Sequence, residues 1–211
     1  MSLTFYDCKT APSPRRARII LAEKSVPHDV VEIDLRTAEQ MGDAFRAINP
    51  NATVPALKLD DGTVLTDNAG IAAWLEETYP DPPLMGRTAM EKSAIATWQW
   101  KVEQEFGMGV ASVLRNTNAA MKGRALPGPH DYEQIPALAE RGMQMVDNFL
   151  GTFDRHLADR DFVAADMVSV ADITAFVFIG FAKVIGKRPL ETHANIKKWY
   201  TGLEQRPAFQ D

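Results

Sequence analysis

Residues 48–80 read INPNATVPALKLDDGTVLTDNAGIAAWLEETYP, and the fold turns on this stretch. It divides into a turn, a short strand, a tight turn, a second short strand and a helix. Val54, Leu57 and Leu59 form an apolar strand interrupted by Pro55. Asp61-Gly62 is a hairpin signal, after which Val64-Leu65 resumes the apolar run. Asp67-Asn68 precedes an apolar helical face of Ile71, Trp74 and Leu75, and Pro80 ends that helix. Proline removes a ladder donor, so Pro55 belongs at an edge or a bend. A cis Val54-Pro55 bond would supply the bend. The ladder then stops early, leaving the Val54 backbone N–H and C=O to pair with an extended, peptide-like ligand. Asp67 and Asn68 lie nearby at the helix start, as ligand contacts or as a plain N-cap.

Upstream, residues 3–6 read as a strand and are followed by a turn-rich stretch. Ser13 directly before Pro14 reads as an N-cap with proline at the first helical position. Ala17, Ile20 and Leu21 give that helix its apolar side. Residues 29–35 form a second strand, and residues 39–47 a short amphipathic helix. The order is βαβαββα. A parallel first βαβ unit with an antiparallel hairpin makes a small mixed sheet covered by helices. Asp81-Pro82-Pro83-Leu84 then breaks the periodicity. From residue 88 the pattern is helical, and Gly107 and Gly109 predict a bend in the long stretch 90–121. A helix opens near Pro136 and runs to about Leu157. Ser169-Val170-Ala171-Asp172 is a capping-box pattern with aspartate in the glutamate place. The helix after it, 173–185, is apolar all round and so forms the buried centre of a helical domain. The division is a domain over 1–80, a linker over 81–87 and an all-helical domain over 88–211.

Composition bounds the partners. The 211 residues, 45% hydrophobic and 24% charged, suffice for one domain or two small ones with real cores. A net charge of -5 argues against a general nucleic-acid surface, although Arg15, Arg16 and Arg18 cluster. No signal-peptide pattern or stretch of membrane-spanning length is present. Cys8 is the sole cysteine, which excludes an intrachain disulfide, a CxxC pair and a cysteine metal site. The four histidines are scattered without ligand spacing. These features point to a cytoplasmic, metal-free protein with neither nucleic acid nor membrane as partner.

The segments NPNATVPAL, LTDNAGIAAWLE and SVADITAF, together with PRRARIILAEK, the proline-rich linker and a terminal RPAF, carry a resemblance. In their order and spacing they resemble the soluble, cytosolic-type glutathione S-transferases over nearly the whole chain, with bacterial-like, serine-type features. The resemblance implies a thioredoxin-like α/β domain that binds glutathione, an all-α domain that supplies most of the electrophile pocket, and a homodimer. The family's cis-proline motif falls on Val54-Pro55, where the residue before proline pairs through its backbone with the cysteinyl part of glutathione. The family's Glu/Asp-Ser pair falls on Asp67-Asn68. Asp67 is then expected to accept from the γ-glutamyl ammonium. Asn68 takes the serine's part against the γ-glutamyl carboxylate, helped by backbone N–H groups. Two departures stand out: asparagine replaces serine, and neither Ala52 nor Thr53 is the basic residue many members offer the glycine carboxylate. Ser169 and Asp172 match the family's structural capping box.

A thiol with pKa near 8.5 is only a few per cent thiolate at neutral pH, so a transferase must stabilise the anion. In serine-type members the donor sits in a pattern like S-P-x-x-R-R-V-R. Aligned on PRRAR, that position is Ala11, which cannot donate. Ser13, the nearest hydroxyl, is a cap or the thiolate donor. Tyr6 is the donor of tyrosine-type members or a partly buried sheet residue. Cys8 matches neither a redox pair nor the cysteine-type placement. Backbone N–H groups of Arg15 and Arg16 also support a thiolate, and the Arg16 side chain adds positive potential. Trp100, Met108 and Arg115 are candidates for the electrophile pocket, with core packing as the alternative. Of Trp98 and Trp100, one faces the core.

The function expected from the resemblance is conjugation of the glutathione thiolate to small hydrophobic electrophiles, a detoxification chemistry, with attack on peroxides beside it. Glutathione is a co-substrate, and no cofactor is permanently bound. The rivals are a glutathione-dependent disulfide reductase or dehalogenase on the same scaffold, and a non-catalytic glutathione-binding or regulatory protein. Ala11 and Asn68 motivate the last.

Overall fold

The computed structural model describes residues 2–210. Strand β1 (Thr4–Asp7) buries Phe5, Tyr6 and Asp7 and lies inside a four-stranded sheet of order β2-β1-β3-β4. Strand β2 (Asp29–Glu32) runs parallel to it, with Thr4 opposite Asp29. Strand β3 (Ala56–Lys58) is antiparallel on the other side, with Phe5 opposite Leu57. Strand β4 (Val64–Leu65) closes the hairpin, and Leu57 faces Leu65. The turn between them is fixed by Leu59 N–H donating to Thr63 O at 2.8 Å and by Thr63 N–H donating to the Asp61 carboxylate at 2.8 Å. Gly62 takes a φ of +88°, which suits a residue without a Cβ. The sheet is mixed, as the βαβαββα pattern requires.

Helix α1 (Pro12–Glu23) buries Ala17, Ile20 and Leu21, and helix α3 (Asn68–Thr78) buries Ile71, Ala72 and Leu75. The two helices pack on each other. Between β2 and β3 the expected single helix is split. A 3₁₀ turn, Glu39–Met41, ends at Gly42 in extended backbone, and only then does α2 (Asp43–Arg46) form.

Lys24 ties the far ends of α1 and α3 together. Its side chain is 0% exposed. Nζ donates to Tyr79 O and Pro82 O, each at 2.7 Å, and stands 2.8 Å from Glu76 Oε2. An ammonium has three N–H donors, and each has an acceptor here. A helix leaves its last carbonyls unsatisfied, and a cation there also suits the helix dipole.

The second body of structure is helical. Helix α4 (Ala89–Lys101) starts at a Thr88–Glu91 capping box and runs through a π-helical segment, Val102–Gly107, into α5 (Met108–Thr117). The predicted bend at Gly107 and Gly109 is thus a widened helix, and close packing explains the glycines. A Cβ on Gly107 would stand 2.8 Å from the Phe178 ring, and one on Gly109 would stand 3.0 Å from Gly142 O. Gly142 belongs to α6 (Pro136–His156), the long partner of α5.

Helix α7 (Val170–Phe181) is buried almost all round. Its first turn rests on Asp172, whose Oδ2 accepts from Ser169 N–H at 3.1 Å and Ser169 Oγ at 2.8 Å. Oδ1 accepts from Val163 N–H at 2.8 Å and Trp199 Nε1 at 3.0 Å. Burial pushes this carboxyl up, while the Trp199, Val163 and Ser169 donors pull it back. One side chain therefore joins the 161–167 excursion, α7 and α9 (Ala194–Glu204), with the short α8 (Pro189–Thr192) lying just before α9. Asp154 caps α9, its Oδ1 accepting from Asn195 and Ile196 N–H at 3.0 Å each. No helix among the described residues is long and apolar enough to cross a membrane. By contacts the chain forms two units: residues up to Pro82 with Pro127–His130, and Pro83–Leu126 with residues from Asp131 onward.

Trp98 is the tryptophan that faces the core, with its ring 5.8 Å from Phe153 and 3.9 Å from His156. Trp100 is 60% exposed. His156 Nε2 lies 2.7 Å from Val163 O, so that nitrogen carries the proton and donates. Burial holds the imidazole below its ordinary range, which the Val163 bond only partly offsets.

Two stability predictions follow from these contacts. Lys24→Met removes the ammonium from the Tyr79 and Pro82 carbonyls and the Glu76 carboxylate, and should lower unfolding free energy by about 3 kcal/mol in urea titrations. An unchanged midpoint would show the ammonium to be dispensable. For His156 the folded pKa lies below the unfolded one, so the unfolded state binds more protons as pH falls. Its contribution to stability is complete above the unfolded value of about 6.5 and is lost below it. His156→Gln keeps an N–H for Val163 O, and should flatten the fall in thermal midpoint on acidification through that range.

Candidate active site

The turn before Val54 is wound around the fully buried Asn49. Its Nδ2 donates to Thr53 O at 2.7 Å and Thr53 Oγ1 at 3.2 Å, and its Oδ1 accepts from Asn51 N–H at 3.0 Å. Ala52 adopts a left-handed φ of +53° within this loop. The Val54-Pro55 peptide bond is cis. The ladder with β1 begins only at Ala56, opposite Tyr6, and Val54 makes no backbone hydrogen bond among the described residues. Its side chain packs with Tyr6, Cys8, Ile33, Phe45 and Ala56, and Ala11 packs on the same cluster. An open backbone segment and the start of α1 are thus held by one apolar cluster.

The helix start differs from its sequence reading. Ala11 is the N-cap residue and Pro12 the first helical position, so Ser13 is inside the first turn and does not cap it. The reason lies in the two prolines. Pro12 is pre-set for the first helical position, and neither Pro12 nor Pro14 has an N–H. Ala11 N–H donates to Cys8 O at 3.0 Å. Of the backbone donors that a helix N-terminus leaves open, the one remaining over positions 11–14 is Ser13 N–H. Arg15 and Arg16, whose backbone N–H groups the sequence offers as thiolate support, follow this position in the helix.

Asp67 occupies the N-cap position of α3, yet its carboxylate makes no capping bond. That carboxylate is exposed and, among the described residues, accepts from Thr66 Oγ1 alone, at 3.4 Å. Asn68 is the first residue of that helix. Its Nδ2 donates to Ser13 O at 3.1 Å and Ser13 Oγ at 3.0 Å. The Asn68 amide, which the resemblance sets against the γ-glutamyl carboxylate, donates to Ser13 in this structure, and backbone N–H groups lie at the start of the same helix. Arg16 is buried, and its Nη2 donates to Ser13 Oγ at 3.3 Å.

The remaining candidates are placed as follows. Tyr6 is buried, edge-on to Phe45 with ring centroids 5.9 Å apart. Cys8 is buried, its Sγ 3.5 Å from Thr10 Oγ1. Asp7 Oδ1 accepts from Cys8 N–H at 2.7 Å, and Asp7 Oδ2 lies 3.1 Å from Arg18 Nε. Burial raises the Asp7 carboxyl, and Arg18 partly restores it. This pair pins the turn that leads into α1. In the helical unit, Trp100 and Met108 are exposed, whereas Arg115 donates to Arg124 O at 2.9 Å and braces the loop after α5. Ser169 and Asp172 form the buried cap of α7 already described. No cluster of His, Cys, Asp and Glu among the described residues is arranged to hold a metal ion. Sequence reading missed the Asn68–Ser13 link, whose only local signals are the Pro-Ser-Pro spacing and an asparagine where serine was expected.

A small mixed sheet with cis-Pro55 ahead of β3, joined to a helical unit, is the architecture of the two-domain glutathione transferases. The family model of the glutathione S-transferase N-terminal domain matches residues 10–78, and that of the C-terminal domain matches residues 136–202. The chain is 31% identical to Glutathione S-transferase 2 of Saccharomyces cerevisiae, over 99% of this chain and 88% of that relative. It is 26% identical to Glutathione S-transferase GstA of Escherichia coli, over 92% and 90%. The crystal structure of Gtt2 from Saccharomyces cerevisiae matches with a TM-score of 0.87 at 29% identity, covering 100% of this chain and 99% of the other. The chain belongs to the cytosolic-type glutathione S-transferase family.

Proposed function

We propose that this transferase joins the glutathione thiolate to small hydrophobic electrophiles, with Ser13 as the group that stabilises the thiolate. The observation that carries this reading is the pairing of an open Val54 backbone with the open N–H of Ser13 and a Ser13 hydroxyl whose hydrogen is still available to donate. Val54 N–H and C=O pair with the cysteinyl backbone. The Asp67 carboxylate takes the γ-glutamyl ammonium, and the start of α3 takes the γ-glutamyl carboxylate. Ser13 then offers O–H and N–H to sulfur at the positive end of α1. With the anion favoured, the thiol proton leaves to solvent and sulfur attacks the electrophilic carbon, forming the S–C bond as a leaving group departs with its electron pair or, at an activated double bond, as the π pair moves to the acceptor and is protonated by solvent. No covalent enzyme intermediate forms. Attack on a peroxide oxygen uses the same thiolate: the O–O bond breaks, the alcohol leaves after taking a proton, and the glutathione sulfenic acid so formed is reduced by a second glutathione to the disulfide and water. Trp100 and Met108 supply exposed apolar surface for the electrophile. The protein acts as a cytoplasmic homodimer in this reading. Tyr6 and Cys8 are packed into the sheet's core cluster, which favours Ser13 over either.

Retention on immobilised glutathione and conjugation of a generic aromatic electrophile test this together. Asp67→Ala should weaken glutathione binding about tenfold or more, the usual cost of losing one charge-assisted bond. Ser13→Ala should lower turnover by about 10- to 100-fold and move the apparent thiol pKa back toward about 8.5. Binding without turnover in the parent protein would instead favour a regulatory glutathione binder. Absence of binding would overturn the reading altogether.

A further inference from the structure

A serine hydroxyl has one hydrogen and two lone pairs, so it can play donor, acceptor or both. At Ser13 the acceptor side is already taken. Asn68 Nδ2 donates to Oγ at 3.0 Å, and Arg16 Nη2 donates to it at 3.3 Å. What is left is the hydroxyl hydrogen. An oxygen that receives two hydrogen bonds is also more polarised, which strengthens the bond it donates.

Asn68 is held in this orientation by a second contact. Its Nδ2 also reaches Ser13 O at 3.1 Å. A carbonyl can only accept, so the nitrogen and not the oxygen of the amide must face Ser13. The consequence is that Asn68 Oδ1 is buried with no hydrogen-bond partner. Leaving a buried acceptor unpaired is unfavourable. The amide is therefore held for its N–H groups, and both of its contacts are on Ser13.

From this geometry we infer that Asn68 is a positioning residue for thiolate formation: with Arg16 it saturates the Ser13 oxygen, so that the hydroxyl serves only as a donor to the glutathione sulfur. Asn68 acts through Ser13 and does not touch the substrate with its side chain. The inference rests on Ser13 being the thiolate donor, and it moves the Asn68 side chain from substrate binding to thiol activation.

The test compares Asn68→Ala and Asn68→Asp with Ser13→Ala and the Ser13→Ala/Asn68→Ala double variant in the full-length protein. Readouts are kcat, KM for glutathione, the pH profile of turnover, and the thiolate ultraviolet absorbance of the enzyme–glutathione complex. Asn68→Ala should lower kcat about five- to tenfold and raise the thiol pKa, with KM for glutathione changed less than about twofold. Asn68→Asp has the same shape but offers Ser13 an acceptor, which captures the hydroxyl hydrogen, so its loss should be the larger of the two. The double variant should match Ser13→Ala alone, because the effect of Asn68 passes through the missing hydroxyl. A rise in KM with an unmoved pH profile would overturn the inference, as would losses that multiply in the double variant. If Ser13→Ala is slow but both Asn68 variants, folded by circular dichroism, are not, the Asn68 role alone fails. If Ser13→Ala itself is unaffected, the donor assignment fails with it.

Discussion

The ladder between β1 and β3 ends at the Tyr6–Ala56 pair because the next residue, Pro55, has no N–H to continue it. Everything in the candidate site is arranged around that interruption. Val54 keeps its side chain in the apolar cluster under the sheet while its backbone stays unpaired. A peptide-like ligand can then complete the pairing as an extra strand would, through main-chain hydrogen bonds. Asn49 organises the turn ahead of Val54, bonding to Asn51 N–H and to the Thr53 carbonyl and hydroxyl.

A second interruption, at the start of α1, has the same cause. Pro12 and Pro14 delete donors from the first turn, and Ala11 N–H is turned back onto Cys8 O. The helix field at this end is therefore concentrated on one residue, Ser13, which has both a free N–H and a hydroxyl. Asn68 then joins the first residue of α3 to this point, so that the groups suited to hold the γ-glutamyl end and the group suited to hold sulfur share one hydrogen-bonded junction. An anion formed at Ser13 would meet donors already in place, and preorganisation of that kind is where electrostatic catalysis gains most.

Each unit also contains a buried ionisable side chain whose hydrogen-bonding positions are all used, Lys24 in one and Asp172 in the other. Lys24 closes the ends of α1 and α3 with three acceptors, and Asp172 gathers four donors from the chain before α7, the cap of α7 and α9. A buried charge is tolerable only when it is fully partnered. The same condition makes each a rigid anchor within its own unit.

The sequence by itself determined the order of elements and the mixed character of the sheet, the hairpin at Asp61-Gly62, the early stop at Pro55, the helical second half and the Ser169–Asp172 cap. These follow from local rules: alternation, helical periodicity, and the chemistry of proline, glycine and capping residues. It also pointed to Val54, Asp67 and Ser13. Only the tertiary structure decided which donors remain free. By its place before a proline Ser13 reads as a cap or as a thiolate donor, and the cap alternative falls because Pro12 moves the helix start to Ala11. Asn68 was assigned to a carboxylate because it occupies a serine's place, yet Ser13 lies within its reach, 55 residues away in sequence. The glycines in the long helix read as a bend, but rings and carbonyls from other helices press against them. In each case a partner distant in the chain competes for the same hydrogen bond or the same space, and local sequence does not specify where that partner will be.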